Sequence, residues 1–403
     1  MIGPGRALER VRRACHKLSV EEVTLEAAPG CVLARSVRSP FPLPRFDNSA
    51  MDGFAVRSRD TARASDAAPV RLSIRPTVFA GDHAGRLERG DACRIMTGAP
   101  LPAGADGVIP VERARVEKKH LVVTAPVERG RHVRRRGEEV RSGAVVARAG
   151  TVVHPGVVST LASVGCGAVP VYAAPKVAVI ATGNETVIPG NELGEGEIYD
   201  SNTPMLTALL RQAGIEPSRV RRVRDHRGAL RRSVQAALAQ SDVLVTTGGV
   251  SMGERDHLRP VLDELGVREI FWRVSQKPGK PLYFGERGGK LVFGLPGNPA
   301  SALVCFYVYV YPALRWLAGH PDAPLPEAVA RVNGRPPADA KRFQFLRGRA
   351  AEDGSVDVLA GQGSHMVTAL GQCDRLVVLP PGTAPRRGRL NTLILPHAME
   401  DDR

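Results

Sequence analysis

Two phrases in this chain carry residue types suited to chemistry. Thr246-Thr-Gly-Gly-Val-Ser-Met-Gly-Glu-Arg-Asp256 is a glycine-rich stretch ending in two carboxylates, and Lys277-Pro-Gly-Lys-Pro281 sets two ammonium groups three residues apart on a proline-stiffened turn. Gly248 and Gly249 have no side chains to hold an anion away from backbone N–H groups, and Ser251 adds a hydroxyl. Lys277 and Lys280 are placed to neutralise non-bridging oxygens. Glu185, Asp225 and Asp256 are hard oxygen donors of the kind magnesium shares with phosphates. The parts describe a site for a phosphate or similar oxyanion with a divalent cation.

These residues need a scaffold. From Lys176 onward, apolar strand-like runs alternate with helical patterns: strands at 176–181, 219–223, 242–246, 270–274, 282–284 and 291–293, and helices at 204–212, 229–240, 258–265 and from Pro299. That alternation implies a doubly wound parallel sheet, whose ligands bind beyond the carboxyl ends of the strands. The predicted strands are followed by Thr182-Gly-Asn-Glu185, by Asp225, by the glycine loop, by the lysine turn and by Leu295-Pro-Gly-Asn-Pro299. Five functional-looking loops on one sheet edge say more than any one motif. Each has a bland alternative: a tight turn at Gly248-Gly249, helix caps at Asp225 and Asp256, a solvated lysine turn, and helix entry at Pro296 to Pro299, with Asn298 as N-cap.

The rest of the chain reads as flanking domains. Residues 1–45 and 130–172 form an elongated, discontinuous N-terminal domain, and 46–129, with short runs broken by Gly and Pro, an inserted β-rich domain. Residues 173–320 are the α/β domain. A proline-rich stretch, Pro321 to Pro337, opens a final domain at 321–403 whose short strand-like runs read as a small β-barrel or sandwich.

Bulk properties exclude several classes. Of 403 residues, 43% are hydrophobic and 24% charged, ordinary for a multidomain globular protein. The six cysteines are scattered with no Cys-x-x-Cys pair, fitting a reducing cytoplasm and no disulfide framework. The N-terminus lacks a signal-peptide core. Ala300 to Gly319 is long and apolar enough for a membrane span, yet Pro312 interrupts it and Arg315 lies within it, favouring a buried helix. The net charge of +15 comes from dispersed arginines, with runs at 131–136 and 219–227; only 4% of residues are aromatic and none interleave with the runs, which argues against nucleic acid.

Further phrases complete a pattern: FDNSAMDGFAV at 46–56, RIMTGAP at 94–100, RRRGEE at 134–139, ATGNE at 181–185, IYDSN at 198–202, GLPGNP at 294–299 and GQGSH at 361–365. With the first two phrases, in this order, the chain resembles the molybdopterin molybdenumtransferases, the MoeA type that includes the gephyrin E domain. The resemblance implies a C-terminal β-barrel and a homodimer whose active sites lie between the α/β domain of one subunit and the inserted domain of the other. It implies insertion of molybdate, as substrate, into adenylylated molybdopterin with release of AMP, assisted by Mg2+. Apo-molybdoenzymes and an adenylyltransferase are partners it suggests.

Carried over, Asp52, Glu185, Asp225 and Asp256 are the functional carboxylates, the last three facing metal. Lys277 and Lys280 are oxyanion or phosphate ligands, Ser364 resembles the family's functional serine in the last domain, and Arg342 and Arg347 of an Arg-x-x-Phe-x-Arg pattern help bind molybdate. Thr97 and Pro296 are architectural. The chain departs from the family pattern at Glu139 and Asn184, where aspartate is common. Two other readings share part of the motif set: a molybdopterin adenylyltransferase, and a non-catalytic molybdopterin-binding scaffold.

Overall fold

The computed structural model describes residues 1–250, 256–334, 339–383 and 389–399. The chain divides into two compact units. One comprises 1–23, 30–34 and 170–403, the other 24–29 and 35–169.

In the larger unit the chain builds a mixed sheet from β1 (Val177–Thr182), β2 (Arg219–Val223), β3 (Val243–Thr247), β4 (Arg268–Trp272), β5 (Tyr283–Arg287) and β6 (Lys290–Leu295), in the order β2-β1-β3-β6-β5-β4. β1, β2, β3 and β6 pair in parallel, whereas β5 runs antiparallel to both neighbours. Two reversals leave β4 running with the parallel set. The sequence expectation of an all-parallel sheet is corrected at β5 alone, because the chain returns to β6 by a tight Gly288-Gly289 hairpin with no crossover helix.

Alternation along the buried strands sorts side chains to two faces. Val177, Val179, Val245 and Phe293 pack on one side with α1 (Asn202–Gln212), the N-terminal helix Pro4–Ala14 and α4 (Pro299–Leu317). Ala178, Ile180, Leu244 and Val292 pack on the other with α2 (Arg227–Gln240) and α3 (Leu258–Glu264). This is the doubly wound layering expected.

α4 passes a length and composition test for crossing a membrane, but 89% of its apolar window is buried inside the protein. It is the core helix of the unit. Pro312 does not interrupt it: a π-helical segment, Phe306–Val310, widens the helix just before the proline ring, so the helix runs on to Leu317.

The remaining strands, β7 (Glu327–Asn333), β8 (Phe343–Ala350), β9 (Val356–Val358), β10 (Arg375–Leu379) and β11 (Arg389–Ile394), close into a barrel in the cyclic order β8-β9-β7-β11-β10. The proline-rich stretch is therefore not all linker, since β7 lies inside it. Its Glu-Ala-Val-Ala-Arg-Val-Asn alternates without a proline, and the prolines sit at its flanks, where strands tolerate them. One further pairing stitches the barrel to the α/β part: Gln276–Lys277 runs parallel to the start of β8, Gln276 opposite Phe343 and Lys277 opposite Gln344.

The smaller unit holds a second six-stranded sheet that includes Gly53–Val56, Val70–Val78, Asp91–Ile95 and Gly107–Pro110. Phe54, Val56 and Leu72 face one core, and Ala55, Cys93 and Ile95 the other.

Candidate active site

The carboxyl ends of β1, β2, β3 and β6 open into a cleft of about 790 Å³. Its wall holds Glu185, Asp225, Asp256, Gly248, Gly249 and Asn298, with Pro296 beside them. Seven residues singled out from sequence thus meet in one place. Ser251 lies outside the described residues.

Local chemistry explains why the chain folds this way there. Gly248 has φ +85°, and a Cβ on it would stand 2.5 Å from the Thr182 carbonyl oxygen; its N–H donates to the Leu295 carbonyl at 3.2 Å. Only glycine lets the loop after β3 cross between β1 and β6 so closely. Asn202, at the start of α1, donates from Nδ2 to Thr247 Oγ1 at 2.9 Å and to the Gly297 carbonyl at 2.6 Å. Asp200, 4% exposed, takes Thr203 N–H at 3.0 Å and Thr203 Oγ1–H at 2.6 Å, capping α1. Asp200 and Asn202 belong to the IYDSN phrase, but neither was singled out, since an aspartate ahead of a helix reads as a cap and nothing more.

The helix-cap alternatives fail for two residues. His226, not Asp225, caps α2, its Nδ1 accepting from Ala229 N–H at 3.3 Å. Asn298 makes no side-chain cap to α4; its Nδ2 donates to Ser364 Oγ at 3.0 Å. The N-cap reading of that side chain is corrected: Pro299 at the first helical position already removes one orphan N–H, leaving the amide free to reach the barrel.

Electrostatics distinguish the carboxylates. Burial, then the charges of Glu185 and Asp256, raise the pKa of Asp225, opposed by a hydrogen bond from the Asn184 backbone to the carboxylate and by His257. Asp225 N–H in turn donates to Asn184 Oδ1 at 3.0 Å. Asn184, where the family pattern departs, thus ties the loop after β1 to the end of β2. Among the described residues no group of three or more His, Cys, Asp or Glu is arranged to hold a metal ion. The three carboxylates share a wall without converging. Such a set suits a cation that takes one or two protein carboxylates and fills its shell with phosphate oxygens and water, which is the habit of magnesium.

A second, smaller pocket of about 220 Å³ is lined by Lys277, Lys280, Ser301, Arg342, Gln362 and Ser364. The lysines come from the turn between β4 and β5, Ser301 from the first turn of α4, and the rest from the barrel. Neither lysine makes an ion pair among the described residues, whereas Arg342 grips Asp339 from both Nε (2.9 Å) and Nη2 (2.8 Å). Sequence reasoning missed Ser301 and Gln362. An Asn-Pro-Ala-Ser helix start and a glycine-flanked glutamine carry no charge to draw attention.

Arg347 does not line this pocket. It is fully buried, its Nη2 donating to the Gly361 carbonyl at 2.6 Å and the Gly363 carbonyl at 3.1 Å.

Within the smaller unit, Asp52 Oδ1 accepts from both the N–H and the Oγ1–H of Thr97, each at 2.7 Å. These bonds, chiefly the backbone one, hold its pKa below the usual aspartate range, with Arg94 assisting. Thr97 is thus the partner that orients Asp52. Asp47 in the same phrase accepts from Arg136 N–H at 2.7 Å, anchoring the arginine turn.

A doubly wound domain with a glycine-loop cleft beside a lysine-bearing pocket defines a class: α/β proteins whose ligand sites lie at the carboxyl edge of the sheet. The comparisons narrow this. Residues 3–165 match the family described as "MoeA N-terminal region (domain I and II)", and residues 178–316 the family described as "Probable molybdopterin binding domain". The molybdopterin molybdenumtransferase 2 of Mycobacterium tuberculosis is 34% identical over 382 residues, 93% of this chain and 94% of that one. The molybdopterin molybdenumtransferase of Nostoc is 35% identical over 371 residues, 90% and 85% of the two chains. A crystal structure of a molybdopterin biosynthesis MoeA protein from Pyrococcus horikoshii superposes with TM-score 0.85 at 33% identity, covering 98% and 99%. The chain belongs to the MoeA family of molybdopterin molybdenumtransferases.

Proposed function

We propose that this protein inserts molybdate into adenylylated molybdopterin, releasing AMP and giving molybdenum cofactor. The observation that carries the reading is a hydrogen bond: Asn298 of the cleft wall donates to Ser364 of the cationic pocket at 3.0 Å. A phosphate-bearing ligand in the cleft and a tetrahedral oxyanion in the pocket would therefore lie side by side, which is what an exchange between them requires.

In this reading the N–H groups around Gly248 and Gly249 receive phosphate oxygens, and Thr247, Asn202 and Pro296 hold that loop in place. Glu185, Asp225 and Asp256 face the cation. Magnesium, when bound, offsets phosphate charge. Lys277, Lys280 and Arg342 supply positive charge to molybdate, and the hydroxyls of Ser301 and Ser364 supply neutral donors. Asp52, held ionised by Thr97, acts in an active site completed by a second subunit of a homodimer. The domain scheme that goes with this is 1–45 with 130–172, 46–129, 173–320 and 321–403. The setting is cytoplasmic, fitting six cysteines that are all free thiols, and an adenylyltransferase and apo-molybdoenzymes are the partners upstream and downstream.

The test is AMP release by the purified protein from adenylylated molybdopterin, with and without molybdate and magnesium. Molybdate-dependent release is expected, with a product that activates an apo-molybdoenzyme. Asp52→Ala should slow it by about 100-fold, the scale of losing a group that acts on developing charge. Tight pterin binding without turnover would instead make the protein a scaffold.

A further inference from the structure

Among the described residues, Arg347 is the largest side chain sealed completely inside the protein, and none of their carboxylates forms an ion pair with it. Two of its nitrogens, Nε and Nη1, have no hydrogen-bond partner among the described residues. The thiol nearest to it electrostatically, Cys373, is pushed up to about 11 by burial and stays neutral at ordinary pH. Burying a charge without a partner is among the costliest arrangements a fold can hold. Something must make it worth keeping.

The third nitrogen supplies the reason. Nη2 donates to the carbonyls of Gly361 and Gly363, two peptide groups on either side of Gln362. Gln362 is locked in turn: its Oε1 accepts from Arg347 N–H at 3.0 Å, and its Nε2 donates to the Arg347 carbonyl at 2.9 Å and the Leu359 carbonyl at 2.8 Å. Both peptides are trans, as the cis bonds lie elsewhere at Leu43-Pro44 and Lys277-Pro278. In a trans peptide the N–H points opposite to the C=O. With the carbonyls of Gly361 and Gly363 turned toward Arg347, the N–H groups of Gln362 and Ser364 turn away from it. Neither N–H has a partner among the described residues. Both residues line the pocket of Lys277 and Lys280, and Gly361, at φ +75°, supplies the left-handed bend that brings the two peptides into register.

We propose that the backbone N–H groups of Gln362 and Ser364 are oxyanion donors of the cationic pocket, and that Arg347 is the positioning residue that aims them. The anion then serves as the missing counter-charge, felt through two aligned peptide dipoles. This inference rests on the assignment of the pocket to molybdate.

The experiment titrates the full-length protein with molybdate by calorimetry and follows amide hydrogen exchange across 359–366. Wild type should bind, and Lys280→Ala should bind far more weakly; no binding by wild type, or unchanged binding in Lys280→Ala, refutes the pocket assignment and this inference with it. With that assignment intact, molybdate should slow exchange at Gln362 and Ser364. Arg347→Gln should weaken molybdate by about tenfold or more, the scale of a charge-assisted hydrogen bond. Its affinity for AMP should stay within about twofold, and Arg347→Lys, keeping charge without the two-carbonyl reach, should fall between. Wild type that binds molybdate with both amides exchanging freely overturns the proposal, whether or not the arginine variants fold. So does Arg347→Gln binding molybdate as wild type does.

Discussion

The cleft and the pocket sit one hydrogen bond apart and are built from opposite materials. Among the described residues, the cleft wall holds four carboxylates, Glu185, Asp200, Asp225 and Asp256, and no lysine or arginine, while the pocket holds two lysines and an arginine and no acid. The cleft is shaped by backbone at a sheet edge, where left-handed glycines let strands crowd together. The pocket is assembled from three separate elements, a turn, a helix start and the barrel. Between them stands the uncharged segment Pro296-Gly297-Asn298. Unit charges about 4 Å apart near a protein surface interact by about 4 kcal/mol, so carboxylates inside the pocket would cancel its attraction for an anion. Lysines inside the cleft would compete with a cation for the same phosphate oxygens. Keeping the signs apart by a neutral partition preserves both sites.

The partition can be attacked from the cleft side first. In Gly248→Ala the new methyl would collide with the Thr182 carbonyl oxygen and hold a φ of +85° that alanine resists. We expect a cost of about 1–3 kcal/mol, a lower thermal midpoint and weakened AMP binding, with molybdate affinity nearly intact. Equal loss of both ligands would mean that the two regions are a single site. The partition itself is probed by Asn298→Ala, which deletes the bond to Ser364. That bond is worth about 1 kcal/mol, so turnover should fall by up to about tenfold while each ligand, bound alone, is held almost as before. Unchanged turnover would leave the Asn298 bond with no part in coupling.

The smallest effect sharpens the acid side. Asp225 is held above the ordinary range by burial and by two neighbouring charges. A carboxyl whose folded pKa is raised binds its proton more tightly folded than unfolded. It therefore weakens the fold above its folded pKa, and that penalty disappears as pH falls below the unfolded value. Glu185→Gln removes one of the two charges and should move the Asp225 titration downward, flattening the pH dependence of stability just above the ordinary aspartate range. Carbon-13 NMR of the Asp225 carboxyl measures this directly; an unmoved titration would mean that Glu185 does not face Asp225.

Charge and strand periodicity made the cleft legible from sequence. The apolar runs at 176–181 and 242–246 locate a sheet edge, and whatever polar residue follows such a run must emerge there. The pocket was harder to read. Its lysines announce themselves, yet Ser301 and Gln362 reach it only through tertiary pairing between α4 and the barrel, which leaves no local trace. Arg347 shows the limit most clearly. The Arg-x-x-Phe-x-Arg pattern offers Arg347 as a molybdate ligand beside Arg342, and only its burial separates it from the pocket lining. β7 was hidden for a different reason, since prolines on both sides made seven residues with strand alternation look like tether.

The short parallel pairing of Gln276–Lys277 with the start of β8 has a consequence for modularity. Along the chain, the lysine turn belongs to the α/β sheet and the barrel is a later appendix. By backbone hydrogen bonding, however, the turn is also a sixth stave of the barrel. A chain ended near residue 320 would keep every strand of the α/β sheet and still lose the latch that fixes Lys277. The barrel is thus less a neighbour to be swapped between proteins than the far jaw of a vice, and recombination between relatives would have to carry the turn and β8 together.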